Sequence, residues 1–121
     1  MCQYYHATKL ENAKNIEKNG FIPSKDGMLG SAIYFAFKPR DALLKARCKN
    51  LNAIVVVRLN PGRIKTEKFA HNWDLKSLNN IGYDSVQMLH CRTGPEICLF
   101  EKHRITIIGI VHWDKTNIEF Y

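Results

Sequence analysis

The sequence predicts a single α+β domain, and three observations lead there. The chain is short, its β-rich runs alternate with helix-patterned segments, and no linker or repeat divides it. At 121 residues it has material for one core and one cleft, so residues 1–121 are expected to form one minimal domain. Roughly six or seven short strands interleaved with two or three helices are the pattern of an α+β arrangement.

Residues 3–7 read as the first strand. Thr8, Lys9, Leu10 and Glu11 make a capping-box pattern, with Thr8 as N-cap and Glu11 reaching back, and a helix follows to about residue 18. Gly20 is placed to end that helix in a left-handed conformation. Pro23, Ser24, Lys25, Asp26 and Gly27 are turn formers, and residues 32–37 are a β-rich run. Pro39 suits the first turn of a second helix over about residues 40–48, with Ala42, Leu43 and Ala46 as its apolar stripe. Residues 54–59 are almost continuously apolar and mostly β-branched, which predicts a central strand buried on both faces. Residues 61–78 show no clean period. Shorter strands are expected at 85–88 and 96–100, and a longer one at 104–113 with Gly109 as a bulge.

Composition removes several function classes. With 45% hydrophobic, 24% charged and 11% aromatic residues, the chain is neither a disordered tail nor a collagen-like one. Its longest aliphatic run, Ala53-Ile54-Val55-Val56-Val57, falls far short of the roughly 20 residues that span a bilayer. No apolar leader opens the sequence, and Cys2 stands where a myristoylated glycine would be. A cytoplasmic monomer, small enough to enter the nucleus, is expected, with no membrane partner. The net charge is +7, and residues 1–60 hold ten Lys/Arg against four Asp/Glu. Lys38, Arg40, Lys45, Arg47 and Lys49 form the densest basic stretch, a face that either attracts phosphates or simply keeps the protein soluble. Cys2, Cys48, Cys91 and Cys98 have no metal-like spacing and read as free thiols in a reducing compartment. His90, Cys91, Cys98 and His103 can be drawn as a zinc site, but adjacent ligands separated by a strand make poor geometry for it.

Three polar residues are associated with the predicted strands. His6 closes the first, Tyr34 follows a glycine-punctuated turn into the second, and Glu96 opens an apolar one. Taken singly, each has a plain packing or solvation role, because perturbed polar residues also serve structural networks.

Taken with their flanks, they resemble one family. Tyr5-His6-Ala7-Thr8 is similar to the His-Gly-Thr/Ser element of the poly(ADP-ribose) polymerase catalytic domain. Gly27-Met28-Leu29-Gly30-Ser31-Ala32-Ile33-Tyr34-Phe35-Ala36 resembles that family's Gly-Met-Phe-Gly-Lys-Gly-Ile-Tyr-Phe-Ala segment, identical at seven of ten positions. Pro95-Glu96-Ile97-Cys98-Leu99-Phe100 resembles its Glu-opened strand, and Tyr83-Asp84-Ser85-Val86 a Tyr-Asp-Ser-Val segment upstream of it. The order His, Tyr, Glu is that of the family's triad.

The resemblance implies an ADP-ribosyltransferase-like fold, with two small β-sheets packed around an NAD cleft. It implies NAD as the donor substrate and a catalytic set of Glu96, His6 and Tyr34. His6 would bind the adenosine ribose hydroxyl and the nicotinamide amide region, and the backbone of Ala7 the carboxamide. Thr8 completes the first element, Tyr34 would stack on the nicotinamide ring, and Glu96 would grip the nicotinamide ribose 2′-hydroxyl. No metal is required, because the leaving group already carries charge. Two donor-pocket positions depart from the family, which has a Ser where Ala42 stands and a second Tyr where Lys45 stands. The resemblance therefore leads to mono-ADP-ribosylation of a macromolecular acceptor, protein or nucleic acid, since so short a chain has little material for a second ADP-ribose pocket. Gly94 is not the Gln or Glu that marks toxin-type transferases aimed at Arg. The alternatives are a pseudoenzyme that binds NAD or ADP-ribose without transfer, and an NAD-dependent RNA 2′-phosphotransferase-like enzyme.

Overall fold

The computed structural model describes residues 3–22, 24–27, 30–46, 50–68, 73–114 and 118–120. Cys2, Pro23, Met28, Leu29, Arg47, Cys48 and Lys49, all named above, lie outside the described residues. In chain order the elements are β1 (Gln3–Thr8), α1 (Leu10–Asn19), β2 (Ser24–Gly27), β3 (Gly30–Ala36), α2 (Pro39–Lys45), β4 (Ala53–Leu59), β5 (Ile64–Glu67), α3 (Leu75–Asn80), β6 (Ser85–Met88), β7 (Glu96–Leu99), β8 (Ile105–Trp113) and β9 (Ile118–Phe120). The class is α+β. Strands run in the order β5-β6-β7-β3-β1-β4-β8-β9, and β2 pairs with β3 off that path.

The two separate sheets implied above are instead one hydrogen-bonded path with a thin waist. Strands β1 and β4 register from Gln3 with Arg58 through Thr8 with Ala53. At the waist, β1 and β3 share the single registered pair Tyr5 with Ala36. The pairing along the path is thinnest there, with β7 and β3 on one side and β1, β4 and β8 on the other.

The β-branched run does become the central strand. Every residue of β4 is buried except Arg58. Alternation in a strand sends successive side chains to opposite faces. Val55, Val57 and Leu59 accordingly join the cluster that includes Ala13, Phe21, Phe35 and Ile97, with Leu10 and Ile16 of α1 packed on it. Ile54 and Val56 join the opposite cluster, with Ala7, Ala36 and Ala42 of α2. A third cluster, built on Leu78, Val86, Met88 and Cys98, seats α3. Gly109 sits at the expected irregularity, where the β4–β8 register shifts between Val56 and Val57. No helix among the described residues is long and apolar enough to cross a membrane.

Several local expectations are corrected. Thr8 is not the N-cap: it is the last residue of β1, and Lys9 takes the cap position with no side-chain bond. The orphan N–H of Leu10 instead donates to Asn52 Oδ1 at 2.7 Å, an acceptor 42 residues away that a local pattern cannot reveal. Gly20 has φ +84° but an extended ψ of 172°, so it is a glycine conformation without being left-handed helical. The turn formers Ser24 to Gly27 are strand β2, paired on β3. Leu43 is exposed, and the buried stripe of α2 rests on Ala42. The segment without a clean period contains β5 and α3, the latter capped by Asp74 accepting from Ser77 N–H at 2.7 Å.

If Asn52 is the true cap of α1, Asn52→Ala should lower stability in urea unfolding by about 1 kcal/mol. Thr8→Val, which removes only a 3.4 Å contact from Asn12, should cost less. The reverse order would restore Thr8 as the cap.

Candidate functional site

His6 and Tyr34 meet where β1 and β3 part. Beyond the Tyr5–Ala36 pair, His6 Nδ1 lies 3.4 Å from the Tyr34 carbonyl oxygen, so a side chain replaces the ladder at the waist. A carbonyl can only accept, which puts the ring proton on Nδ1 and leaves Nε2 as an acceptor on a neutral imidazole. Phe21 and Phe35 stand edge-on to the ring, at 5.3 and 6.3 Å between centroids. Burial lowers the His6 pKa from its usual 6.5, and the Tyr34 carbonyl opposes that shift only in part.

Two hollows open from this junction, and both are lined by His6 and Tyr34. The larger, of about 380 Å³, lies against α1 and is lined by Thr8, Asn12, Asn15, Asn19, Phe21 and Ile22 among others. Asn12, Asn15 and Asn19 are spaced by three and four residues, which puts them on one helix face. Asn19 Nδ2 donates to Asn15 Oδ1 at 2.7 Å. The sequence reading gives this amide row no weight, although its spacing was there to see. The smaller hollow, of about 90 Å³, lies against α2 and is lined by Tyr5, Ala7, Ala36, Ala42, Lys45 and Ala46. Thr8 thus belongs to the larger hollow, and Ala7, Ala42 and Lys45 to the smaller.

Glu96 opens β7 and is 6% exposed. It registers with Ala36 of β3 and Met88 of β6. Cys98, two residues on and therefore on the same face, registers with Tyr34, so Glu96 and Tyr34 share one side of the sheet. Glu96 Oε2 lies 3.6 Å from Lys45 Nζ. That ammonium also donates to Thr93 Oγ1 at 2.9 Å and to the Gly94 carbonyl at 2.6 Å. Glu96 Oε1 is buried and accepts from no nitrogen or oxygen donor among the described residues, while the protonated Cys91 thiol bonds to the same carboxylate. Gly94 has φ +96°, and a Cβ there would run into the Asp41 carboxylate of α2, so only glycine lets the 91–95 connection lie this close to the helix.

No protein-family model matches this chain, and no curated protein matches it.

The remaining residues singled out by sequence serve the fold. Asp84 accepts from Arg63 N–H at 2.9 Å and pairs with Arg104 at 3.2 Å, and neither Tyr83 nor Asp84 lines either hollow. His90, Cys91, Cys98 and His103 do not gather into a metal-holding group among the described residues. Burial pushes the Cys91 and Cys98 thiols up, with the Glu96 carboxylate adding to both shifts, so each stays protonated and uncharged beside that carboxylate.

The buried His6 predicts a pH effect of definite sign. The unfolded chain takes up a proton near pH 6.5 that the folded protein resists, so this contribution to stability is full above that value and is lost as pH falls below it. The slope of one proton is at most about 1.4 kcal/mol per pH unit. Thermal unfolding followed from pH 7 to 5 should fall less steeply in His6→Gln than in the wild type, and parallel curves would remove His6 as the titrating group.

Proposed function

We propose that this protein is an NAD-dependent mono-ADP-ribosyltransferase, moving one ADP-ribose unit to a macromolecular acceptor with release of nicotinamide. The observation that carries the reading is Glu96 Oε1, a buried carboxylate oxygen without a nitrogen or oxygen donor among the described residues, on the face shared with Tyr34. A buried acceptor left unpaired is costly, and a ligand hydroxyl donating to it would remove the cost. The sequence motifs that resemble the polymerase catalytic domain point to Glu96 and Tyr34 as well, whereas His6 faces the α1 side of the sheet with Phe21 and Phe35.

In this reading the nicotinamide half of the dinucleotide lies toward the smaller hollow, beside Tyr34 and Ala42, on the face that carries Glu96. An electron-rich ring face favours a cationic pyridinium. Breaking the bond from ribose C1 to that pyridinium builds positive charge on the sugar, as glycoside cleavage does. Glu96 placed at the ribose stabilises that charge where it develops and can accept the proton of the incoming nucleophile. The pyridinium nitrogen keeps the bonding electron pair and leaves as neutral nicotinamide. A second reading, a binder of NAD or ADP-ribose that does not transfer, is favoured by the Lys45 ammonium already resting on Glu96 and by the missing hydroxyl at Ala42.

Incubation with labelled NAD and cell extract or nucleic acid should give a single discrete increment on an acceptor. Glu96→Gln should reduce that labelling about 100-fold or more while NAD affinity changes far less, because the carboxylate acts on charge that exists mainly in the transition state. A ladder of increments would replace single transfer with chain building, and equal losses of binding and transfer would remove the role given to Glu96.

Tyr34→Ala should weaken NAD by roughly 1–3 kcal/mol, read as a reduced thermal shift at fixed NAD. NAD that stabilises the wild type without any label transfer supports the binder; no shift and no label defeat both readings.

A further inference from the structure

We propose that Lys45 is the positioning residue for Glu96: it fixes one carboxylate oxygen and the 91–95 connection together, so that the other oxygen is held for the donor ribose. This rests on the ADP-ribosyl transfer reading and extends it to a residue that the resemblance to the polymerase family treats only as a departure.

The geometry points to Lys45 through three contacts of one ammonium. Its Nζ reaches Glu96 Oε2 at 3.6 Å, Thr93 Oγ1 at 2.9 Å and the Gly94 carbonyl at 2.6 Å. Two of its protons go to Thr93 and Gly94, and Glu96 Oε2 is held beside it as an ion pair. The Lys45 side chain is 13% exposed and that of Glu96 7%. A buried pair is screened far less than a surface one, and its loss leaves an uncompensated charge. Among the described residues no other cation pairs with Glu96. The neighbouring Cys91 and Cys98 supply no positive charge, and the protonated Cys91 thiol meets the carboxylate only as a weak neutral donor.

The pair also explains why the oxygens of Glu96 differ. Oε2 faces the Lys45 ammonium, whereas Oε1 is buried with no nitrogen or oxygen donor among the described residues. A carboxylate drawn to a cation through one oxygen is biased in its rotation, so the direction of the other is favoured before a ligand arrives. Preorganisation of this kind keeps an electrostatic group from having to reorient at the moment of reaction. The pin is itself anchored. Lys45 ends α2, whose Ala42 is buried on the core, and Gly94 is pressed against Asp41 on the same helix. Helix α2 thus grips the connection that leads into Glu96 at two points, Asp41 and Lys45. A lysine fits this role better than a tyrosine would, since a phenol has one proton to give and no charge to balance Glu96.

The test uses Lys45→Met, which keeps the stem and removes the charge, Lys45→Arg, Glu96→Gln and the Lys45→Met/Glu96→Gln pair. Unfolding midpoints come first and need no activity. Lys45→Met should lower the midpoint, and adding Glu96→Gln should recover part of that loss, because a neutral amide no longer needs a cation. Additive midpoint changes would overturn the pairing. In labelled-NAD assays Lys45→Met should lower kcat about 10- to 100-fold with KM for NAD nearly unchanged, the size expected when a reacting group is misplaced by about an ångström. Lys45→Arg should recover part of kcat. A rise in KM at constant kcat would make Lys45 a donor contact and overturn the positioning role, as would full activity in Lys45→Met. A wild type that transfers no label fails the transfer reading itself, while the midpoints still report whether Lys45 and Glu96 act as a pair.

Discussion

Val55 and Val57 face α1 while Ile54 and Val56 face α2, so one strand fastens two helices to opposite sides of the sheet. The rest of the structure depends on this double burial. Strand β1 is held along its length by β4, and β3 along its length by β7. Neither needs the other, and they touch through one registered pair. The gap that follows is where the two hollows begin, one under each helix. His6 and Tyr34 are common to both because they stand on the two sides of that gap.

A second constraint is electrostatic. Glu96 begins a strand whose four residues are all buried, a costly place for a charge. The cost is offset at one oxygen by Lys45, a residue 51 positions earlier in the sequence. The rest is left open at Oε1. A fold selected only for stability has little reason to keep such a group, since an apolar residue of similar volume is often as good or better there. That imbalance, more than any single motif, is what the proposed transfer reading rests on. The same pair also bears on the competing view of a non-transferring binder, because an ammonium that balances Glu96 at rest either orients it for a donor or quiets it.

The charged residues elsewhere divide cleanly from this site. Asp84, Arg104, Glu101 and Arg63 tie the ends of β5, β6 and β8 to one another at partly exposed positions. Pairs of that kind contribute little individually. The Tyr83–Val86 segment therefore resembles a family motif while acting here as a clasp between strands. Lys45 differs from these residues in pairing with a carboxylate that is itself buried, that of Glu96.

By itself the sequence determined the features set by neighbouring residues. Pro39 opening α2, the central burial of β4, the strand at Ser85–Met88, the bulge beside Gly109 and the order of His6, Tyr34 and Glu96 all follow from periodicity, φ preferences or short motifs. Even the amide row of α1 was legible as a spacing, though nothing local said that a hollow faced it. Tertiary structure decided whatever depends on partners far apart in the chain. Asn52 caps α1 in place of Thr8, and Ser24 to Gly27 extend along β3 rather than turning. The sheet stays one path through a single pair at the waist. Lys45 reaches Glu96 because α2 and β7 flank the same strand, β3. Hydrogen bonds and ion pairs between distant residues carry no periodic trace in a sequence, which is why those contacts, and the site they build, became visible only in three dimensions.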